Sequence, residues 1–184
     1  MYKNLVVLLL SIFLLFSCSK KNETIVSEPT EEQVAMDLYA EAVKALQEGD
    51  SFYAAKKFRE VESLMSQYKW ASKASLMASY ADYARNAYPN AIFSLERHIK
   101  NYPADENIPY AHYLMAICYY EQILDEKKDL EPLLKAKEKF EFIMQTYPNT
   151  DYGTDARFKL DLIVDQLAAK EMSIARFYMK TEKW

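Results

Sequence analysis

Only two glycines, Gly49 and Gly153, occur among the 184 residues of this chain, where an average protein has roughly 7%. Glycine lets a backbone turn tightly or approach a phosphate closely. A chain so poor in it cannot supply the many turns of an all-β fold, nor a glycine-rich nucleotide loop. What punctuates the sequence instead is proline, in the pairs Tyr88-Pro89, Tyr102-Pro103 and Tyr147-Pro148. Between these marks run apolar residues at helical spacing, so the fold class expected is all-α. Charged residues at 27% and aromatic residues at 14% speak for a packed chain rather than a disordered one. A formal net charge of -4 offers no electrostatic footprint for nucleic acid.

The first residues read as an address. Lys3 precedes an apolar run from Leu5 to Phe16, broken by Ser11. That run is shorter than the roughly 20 residues a bilayer span needs and suits a signal-peptide core. Leu15-Phe16-Ser17-Cys18 resembles a bacterial lipobox, which makes residues 1–17 a lipoprotein signal peptide and Cys18 the lipidated residue. A secretory signal with an incidental cysteine, or a membrane anchor, are the other readings. Lipidation at Cys18 would hold the protein stably on a membrane. Ser19 in place of the usual inner-membrane Asp points, by the same resemblance, to the outer membrane, facing the periplasm. Residues 18–31, with Lys20, Lys21, Asn22, Glu23 and Pro29, read as a flexible tether. With Cys18 lipidated, Cys118 has no disulfide partner and is expected to be a buried, inert thiol.

The helices can be placed from punctuation. The first is expected over Glu31–Glu48, closed by Gly49 with Asp50 capping the next. The others are expected over Phe52–Tyr68, Trp70–Ala87, Asn90–Asn101, Ile108–Leu124, Pro132–Thr146, and as one long or gently broken helix from Thr154 to about Thr181. On this reading the two glycines mark turns and proline ends most of the other helices. Paired helices with a period in the thirties resemble tetratricopeptide repeats, whose period is about 34 residues. Such repeats need small residues where two helices approach and a large one where repeats meet. Ala42, Ala54 and Phe58 fill these places in the first repeat, with Ser66 where Pro is common. Ser79, Ala91, Leu95 and Pro103 fill them in the second, and Ala116, Ala136, Phe140 and Pro148 in the third. The third fits only with an insertion at Asp125–Pro132, expected to be a loop. A fourth unit starts near Ala168 and reaches Trp184 with one helix. Residues 32–184 are thus a superhelix of about three and a half repeats, expected to continue beyond Trp184.

Longer strings carry a narrower resemblance. Asn86-Ala87-Tyr88-Pro89-Asn90-Ala91 with Glu96-Arg97-His98-Ile99, and Asn107-Ile108-Pro109-Tyr110-Ala111-His112-Tyr113-Leu114 with Tyr119-Tyr120-Glu121-Gln122-Ile123, resemble the second and third repeats of the BamD (YfiO/ComL) family. Tyr147-Pro148-Asn149-Thr150-Asp151-Tyr152, Asp155-Ala156-Arg157 and Leu167-Ala168-Ala169-Lys170-Glu171-Met172 resemble the stretch after the third repeat in that family. Met115-Ala116 departs from the family's common Arg-Gly. The resemblance implies a lipoprotein scaffold of the outer-membrane β-barrel assembly (BAM) machinery and not an enzyme. It implies binding to the periplasmic POTRA region of the barrel protein BamA, to unfolded outer-membrane proteins and, in some lineages, to other accessory lipoproteins. Family members usually carry five repeats. Another periplasmic tetratricopeptide lipoprotein, for pilus assembly or envelope maintenance, is the alternative; a small helical enzyme is a third.

In this repeat class the first helix of each pair lines a concave groove. Its groove positions fall on Met36, Tyr39, Val43, Leu46 and Gln47, on Lys73, Leu76, Tyr80, Tyr83 and Ala84, and on Tyr110, Tyr113, Ile117, Tyr120 and Glu121. Six of these fifteen are Tyr, against 15 in 184 overall. Tyrosine gives rigid amphipathic area at low entropic cost. The expected ligand is an extended peptide rich in aromatics, such as the terminal strand of an outer-membrane protein, with Lys73 and Arg85 meeting its carboxylate. The competing reading packs several of these tyrosines between helices. His98 and His112 lie on different helices and lack the three or four ligands of a metal centre, so solvent-facing or capping histidines are expected. No catalytic constellation and no cofactor other than the covalent lipid is legible. The mixed charges from Arg157 to Arg176 fit a partner-binding face or a solvated one equally.

Overall fold

The computed structural model describes residues 30–65, 67–122 and 130–181. The lipobox with Cys18, the tether up to residue 29, Ser66, the first part of the insertion (125–129) and Trp184 lie outside them. Seven helices and no strand are found among the described residues: α1 (Glu31–Gln47), α2 (Ser51–Leu64), α3 (Tyr68–Ala84), α4 (Tyr88–Asn101), α5 (Ile108–Glu121), α6 (Glu131–Thr146) and α7 (Asp151–Lys180). Each packs on its neighbour in the chain, and α3 with α5 and α5 with α7 also meet directly. This is the expected all-α solenoid, with alternate helices stacked along one side and each unit resting on the next. None of the described helices is long and apolar enough to cross a membrane.

The repeat's steric logic appears in burial. Ala42, Ala54, Phe58, Ser79, Ala91, Leu95, Ala116, Ala136 and Phe140 all have no exposed surface. The small residues let helix backbones close up, and Phe58, Leu95 and Phe140 fill the space where neighbouring pairs meet. The core is accordingly rich in alanine: Ala42, Ala45, Ala54, Ala55, Ala78 and Ala81 surround Phe58. Further along, Ala116, Ala136 and Ala156 surround Phe140, Ile143 and Ile163. Helix α3 is buried most completely, with Ser72, Ala74, Ser75, Ala78, Ser79, Ala81 and Asp82 all inaccessible.

Helix ends correct part of the sequence reading. At the end of α1, Gly49 takes φ +89; its amide bonds Leu46 O and that of Asp50 bonds Ala45 O, at 3.2 and 2.9 Å. That is the Schellman closure, and Asp50 then caps α2 by accepting from Tyr53 N. The end of α3 repeats the closure without glycine. Asn86 sits at φ 59, with Asn86 N on Tyr83 O and Ala87 N on Asp82 O. Asparagine tolerates the left-handed region best among residues with a side chain, so one missing glycine is replaced.

Gly153 does not mark a turn. It lies inside the first turn of α7, and a Cβ there would come within 2.2 Å of the Tyr147 carbonyl oxygen. Nor does proline mainly end helices. Pro89, Pro109 and Pro132 sit in the first turns of α4, α5 and α6, where the missing N–H has no intrahelical acceptor to lose. So α4 starts at Tyr88 rather than Asn90, whereas Pro132 opens α6, and Pro103 and Pro148 follow the ends of α4 and α6, as expected. Helix α2 stops at Leu64 rather than Tyr68, because Tyr68 already opens α3.

Candidate peptide-binding surface

The predicted groove tyrosines stand on the first helices of the three pairs: Tyr39 on α1, Tyr80 and Tyr83 on α3, and Tyr110, Tyr113 and Tyr120 on α5. All six are half-buried. Each ring rests on the core and keeps an outer part in solvent, so packing and display are not alternatives here. Leu76, read as a groove position, is instead part of the core beside Leu95 and Leu114.

The rings form two groups. In the first, Tyr39 meets Phe58 and Trp70 edge-on at 5.3 and 5.9 Å. The Lys73 ammonium sits 5.4 Å from the Tyr39 ring and 5.2 Å from Trp70. Lys73 therefore joins the aromatic surface as expected of its position, with its charge over ring faces and its side chain exposed. In the second, Tyr80, Tyr83 and Tyr88 stand in succession at 6.1 Å. Tyr110 and Tyr113 both pack on Tyr152, at 5.7 and 5.2 Å. Tyr113 and Tyr120 flank Phe140.

The sequence reading missed Tyr152, Asp155 and Lys159 of α7. They are spaced i, i+3, i+7 and so share one helix face. Tyr152 stacks between Tyr110 and Tyr113, Asp155 Oδ2 accepts from the Tyr113 hydroxyl at 2.6 Å, and Lys159 lies 5.1 Å from the Tyr120 ring. That spacing is the signal the sequence offers; the mixed charges around it hide it. Burial pushes the Tyr110 phenol up to about 12. Burial, then the Asp155 bond, push that of Tyr113 up as well. At neutral pH both are phenols with no anionic character; the one O–H of Tyr113 is committed to Asp155, and that of Tyr110 is suited to a peptide carbonyl or carboxylate.

Arg85 does not join them. It is the C-cap of α3, past the last residue whose direction the helical repeat dictates. Its guanidinium donates to Asp82 Oδ1 through Nε and Nη2, at 3.1 and 2.9 Å, and lies over the Phe52 ring. It lines a cleft between α2 and α4 that includes none of the six tyrosines.

The remaining titratable candidates are structural. His98 is neither solvent-facing nor a cap, contrary to the sequence reading: it has no exposed surface, and neither ring nitrogen has a hydrogen-bond partner among the described residues. His112 stacks on Phe142 at 4.8 Å. Cys118 is buried, and burial pushes its thiol up to about 12, far from the thiolate that redox or nucleophilic chemistry needs. No group of three metal-ligating side chains occurs among the described residues.

Residues 31–184 match the family model described as YfiO, outer membrane lipoprotein. Among curated proteins, the outer membrane protein assembly factor BamD of Caulobacter vibrioides is 42% identical over 150 residues, covering 82% of this chain and 49% of that one. BamD of Rickettsia prowazekii is 35% identical over 143 residues, covering 78% and 57%. BamD of Vibrio cholerae is 26% identical over 186 residues, covering 96% and 75%. The chain thus spans about half the length of the first two of these relatives.

Proposed function

This chain belongs to the YfiO family of outer membrane lipoproteins, and from that premise we propose that it acts as an outer membrane protein assembly factor, a binding scaffold and not an enzyme. The observation that carries the reading is the aromatic surface: tyrosines from α1, α3 and α5, joined by Tyr152 of α7, each half in the core and half in solvent. A client outer-membrane protein presents extended, alternating segments rich in aromatics before it folds. Stacked rings with neutral hydroxyls hold such a segment without demanding one sequence. Lys73, which lies over the Tyr39 and Trp70 rings, receives its terminal carboxylate in this reading, and Arg85, bonded to Asp82, takes no part. In this reading Cys18 carries the lipid that keeps the scaffold on the periplasmic face of the outer membrane. A BamA-type barrel protein is the partner, engaged through its POTRA region, with other lipoproteins of the same machinery where these exist.

The test is a titration with a fluorescent peptide copied from the last strand of an outer-membrane protein, ending in a free carboxylate after Phe. The variant Tyr80→Ala, Tyr83→Ala, Tyr113→Ala is expected to bind roughly tenfold more weakly or worse while circular dichroism shows the helix content unchanged. Equal affinity in the folded variant removes the groove assignment. Co-purification from membranes tests the partner: a BamA-type barrel should come down with the chain, and its consistent replacement by pilus proteins would place the scaffold in another assembly.

A further inference from the structure

The second helices of the first two pairs, α2 and α4, enclose an open cleft of about 780 Å³, separate from the tyrosine surface. Three arginines and two phenylalanines line it together with Glu62, Tyr102 and small polar residues. Phe52 and Phe93 are 68% and 69% exposed, the highest values for large apolar side chains among the described residues. Arg59, Arg85 and Arg97 line the same cleft.

Each of these arginines is held without being used up. Arg59 and Arg85 both bond the carboxylate of Asp82, which has no exposed surface. Arg97 Nη2 donates to Glu62 Oε2 at 2.7 Å, and the other Glu62 oxygen accepts from Tyr102 Oη at 3.2 Å. A guanidinium has five N–H donors. The internal bonds therefore fix the forks, and the side chains remain 30 to 40% exposed. Counted against the carboxylates of Asp82 and Glu62, the three arginines leave the cleft one net positive charge in a chain of net charge -4. An adjoining hollow of about 440 Å³ shares Phe52, Arg59 and Arg85 and extends to Lys56 and Glu60.

We propose that this cleft docks an extended acidic peptide segment of a partner protein, its carboxylates on Arg59, Arg85 and Arg97 and its apolar side chains on Phe52 and Phe93. Pre-oriented guanidinium forks match carboxylates in a planar, bidentate way, and fixing them beforehand removes much of the ordering cost of binding. Arginine with aromatic residues is also the composition of interface hot spots. The cations are recessed and the phenylalanines protrude. A flat lipid surface would meet the rings first, whereas a peptide strand can enter between them.

The experiment uses an N-acetylated, C-amidated, fluorescein-labelled decapeptide in which Asp and Glu alternate with Leu. It has neither the aromatic side chains nor the terminal carboxylate that the tyrosine surface is proposed to hold, so the outcome is independent of that reading. Wild type should bind, more weakly as salt is added. Phe52→Ala with Phe93→Ala, and separately Arg97→Gln, should each weaken binding about tenfold with unchanged circular dichroism; the triple tyrosine variant should bind as wild type does. No binding by wild type, or wild-type affinity in both cleft variants, overturns the proposal. So does a cleft variant that keeps the peptide but loses binding to phosphatidylcholine vesicles carrying about a quarter phosphatidylglycerol, because the site would then serve a lipid surface.

Discussion

His98 shows what a single buried side chain costs in a solenoid whose core is rich in alanine. It is enclosed in α4, stacked on Tyr102 at 5.4 Å, with both ring nitrogens unpaired among the described residues. Burial lowers its pKa below the ordinary 6.5, and Arg97 pushes the same way; Asp105 and Glu62 oppose them without prevailing. The unfolded chain therefore takes up the proton first as pH falls. Stability attributable to the neutral ring is complete well above pH 6.5 and is lost as pH drops below 6.5 toward the folded value, with a slope approaching about 1.4 kcal/mol per pH unit. Urea midpoints measured between about pH 7 and about pH 5 should fall for wild type. They should fall less for His98→Phe, which keeps the ring packing and removes the titrating group. Equal acid sensitivity in the two would assign the loss to carboxylates elsewhere. Nothing in the sequence distinguished His98 from a surface histidine, because its burial depends on the Tyr102 turn and on α2 beyond it.

At the level of elements, the sequence spoke most clearly where sterics are local. All nine residues chosen for the small and large positions of the first three repeats are inaccessible, since helix spacing alone decides whether a methyl or a phenyl ring fits; Ile174, Ala175 and Tyr178, read as repeat positions of the fourth unit, are exposed. Punctuation was less legible. Proline is excluded from helix interiors but welcome in a first turn, so a Tyr-Pro pair marks a boundary without saying on which side of it the helix lies. Gly153 misled in the same way. Its small size serves the approach of α7 to the end of α6, where the Tyr147 carbonyl is already held by Thr150 N and Thr150 Oγ1 at 3.2 and 2.7 Å. Ordinarily alanine in a helix is favoured over glycine by about 1 kcal/mol. Here Gly153→Ala should instead destabilise by about 1–3 kcal/mol, because the added methyl meets fixed backbone and not a yielding side chain. Thermal melts of the two proteins decide the sign; a rise in Tm for the alanine variant would mean that the turn moves aside. The tyrosine surface was legible for α1, α3 and α5, whose faces the repeat dictates. It was not legible for Arg85, beyond the last turn of α3, or for Tyr152, whose partners lie two helices back.

The molecule as a whole is a row of neighbours. Among the described residues, helices pack on the next in sequence, α3 and α5 also meet the next but one, and no comparable packing joins α1 and α2 to α6 and α7. Stability in such an array is a sum of unit and interface contributions, and damage stays near its source. Helix α7 shows the gradient within one element. Gly153, Ala156, Leu160 and Ile163 are buried, whereas every residue from 171 to 181 is exposed; a helix segment of that length has little stability without packing. Phe140 is the informative place to perturb. It is inaccessible, touches Tyr113 and Tyr120, and belongs to the cluster that joins α5, α6 and α7. Phe140→Ala should cost about 3–5 kcal/mol locally. By amide hydrogen exchange, protection should collapse in α6 and the first half of α7 and weaken in α5, with α1 and α2 keeping their wild-type rates. The aromatic surface would then lose its α5 and α7 half and keep Tyr39, Trp70 and Lys73, so affinity for an aromatic peptide should fall without vanishing. Uniform loss of protection from α1 to α7 would show a single cooperative unit in place of an array, and binding would then have to be lost all at once.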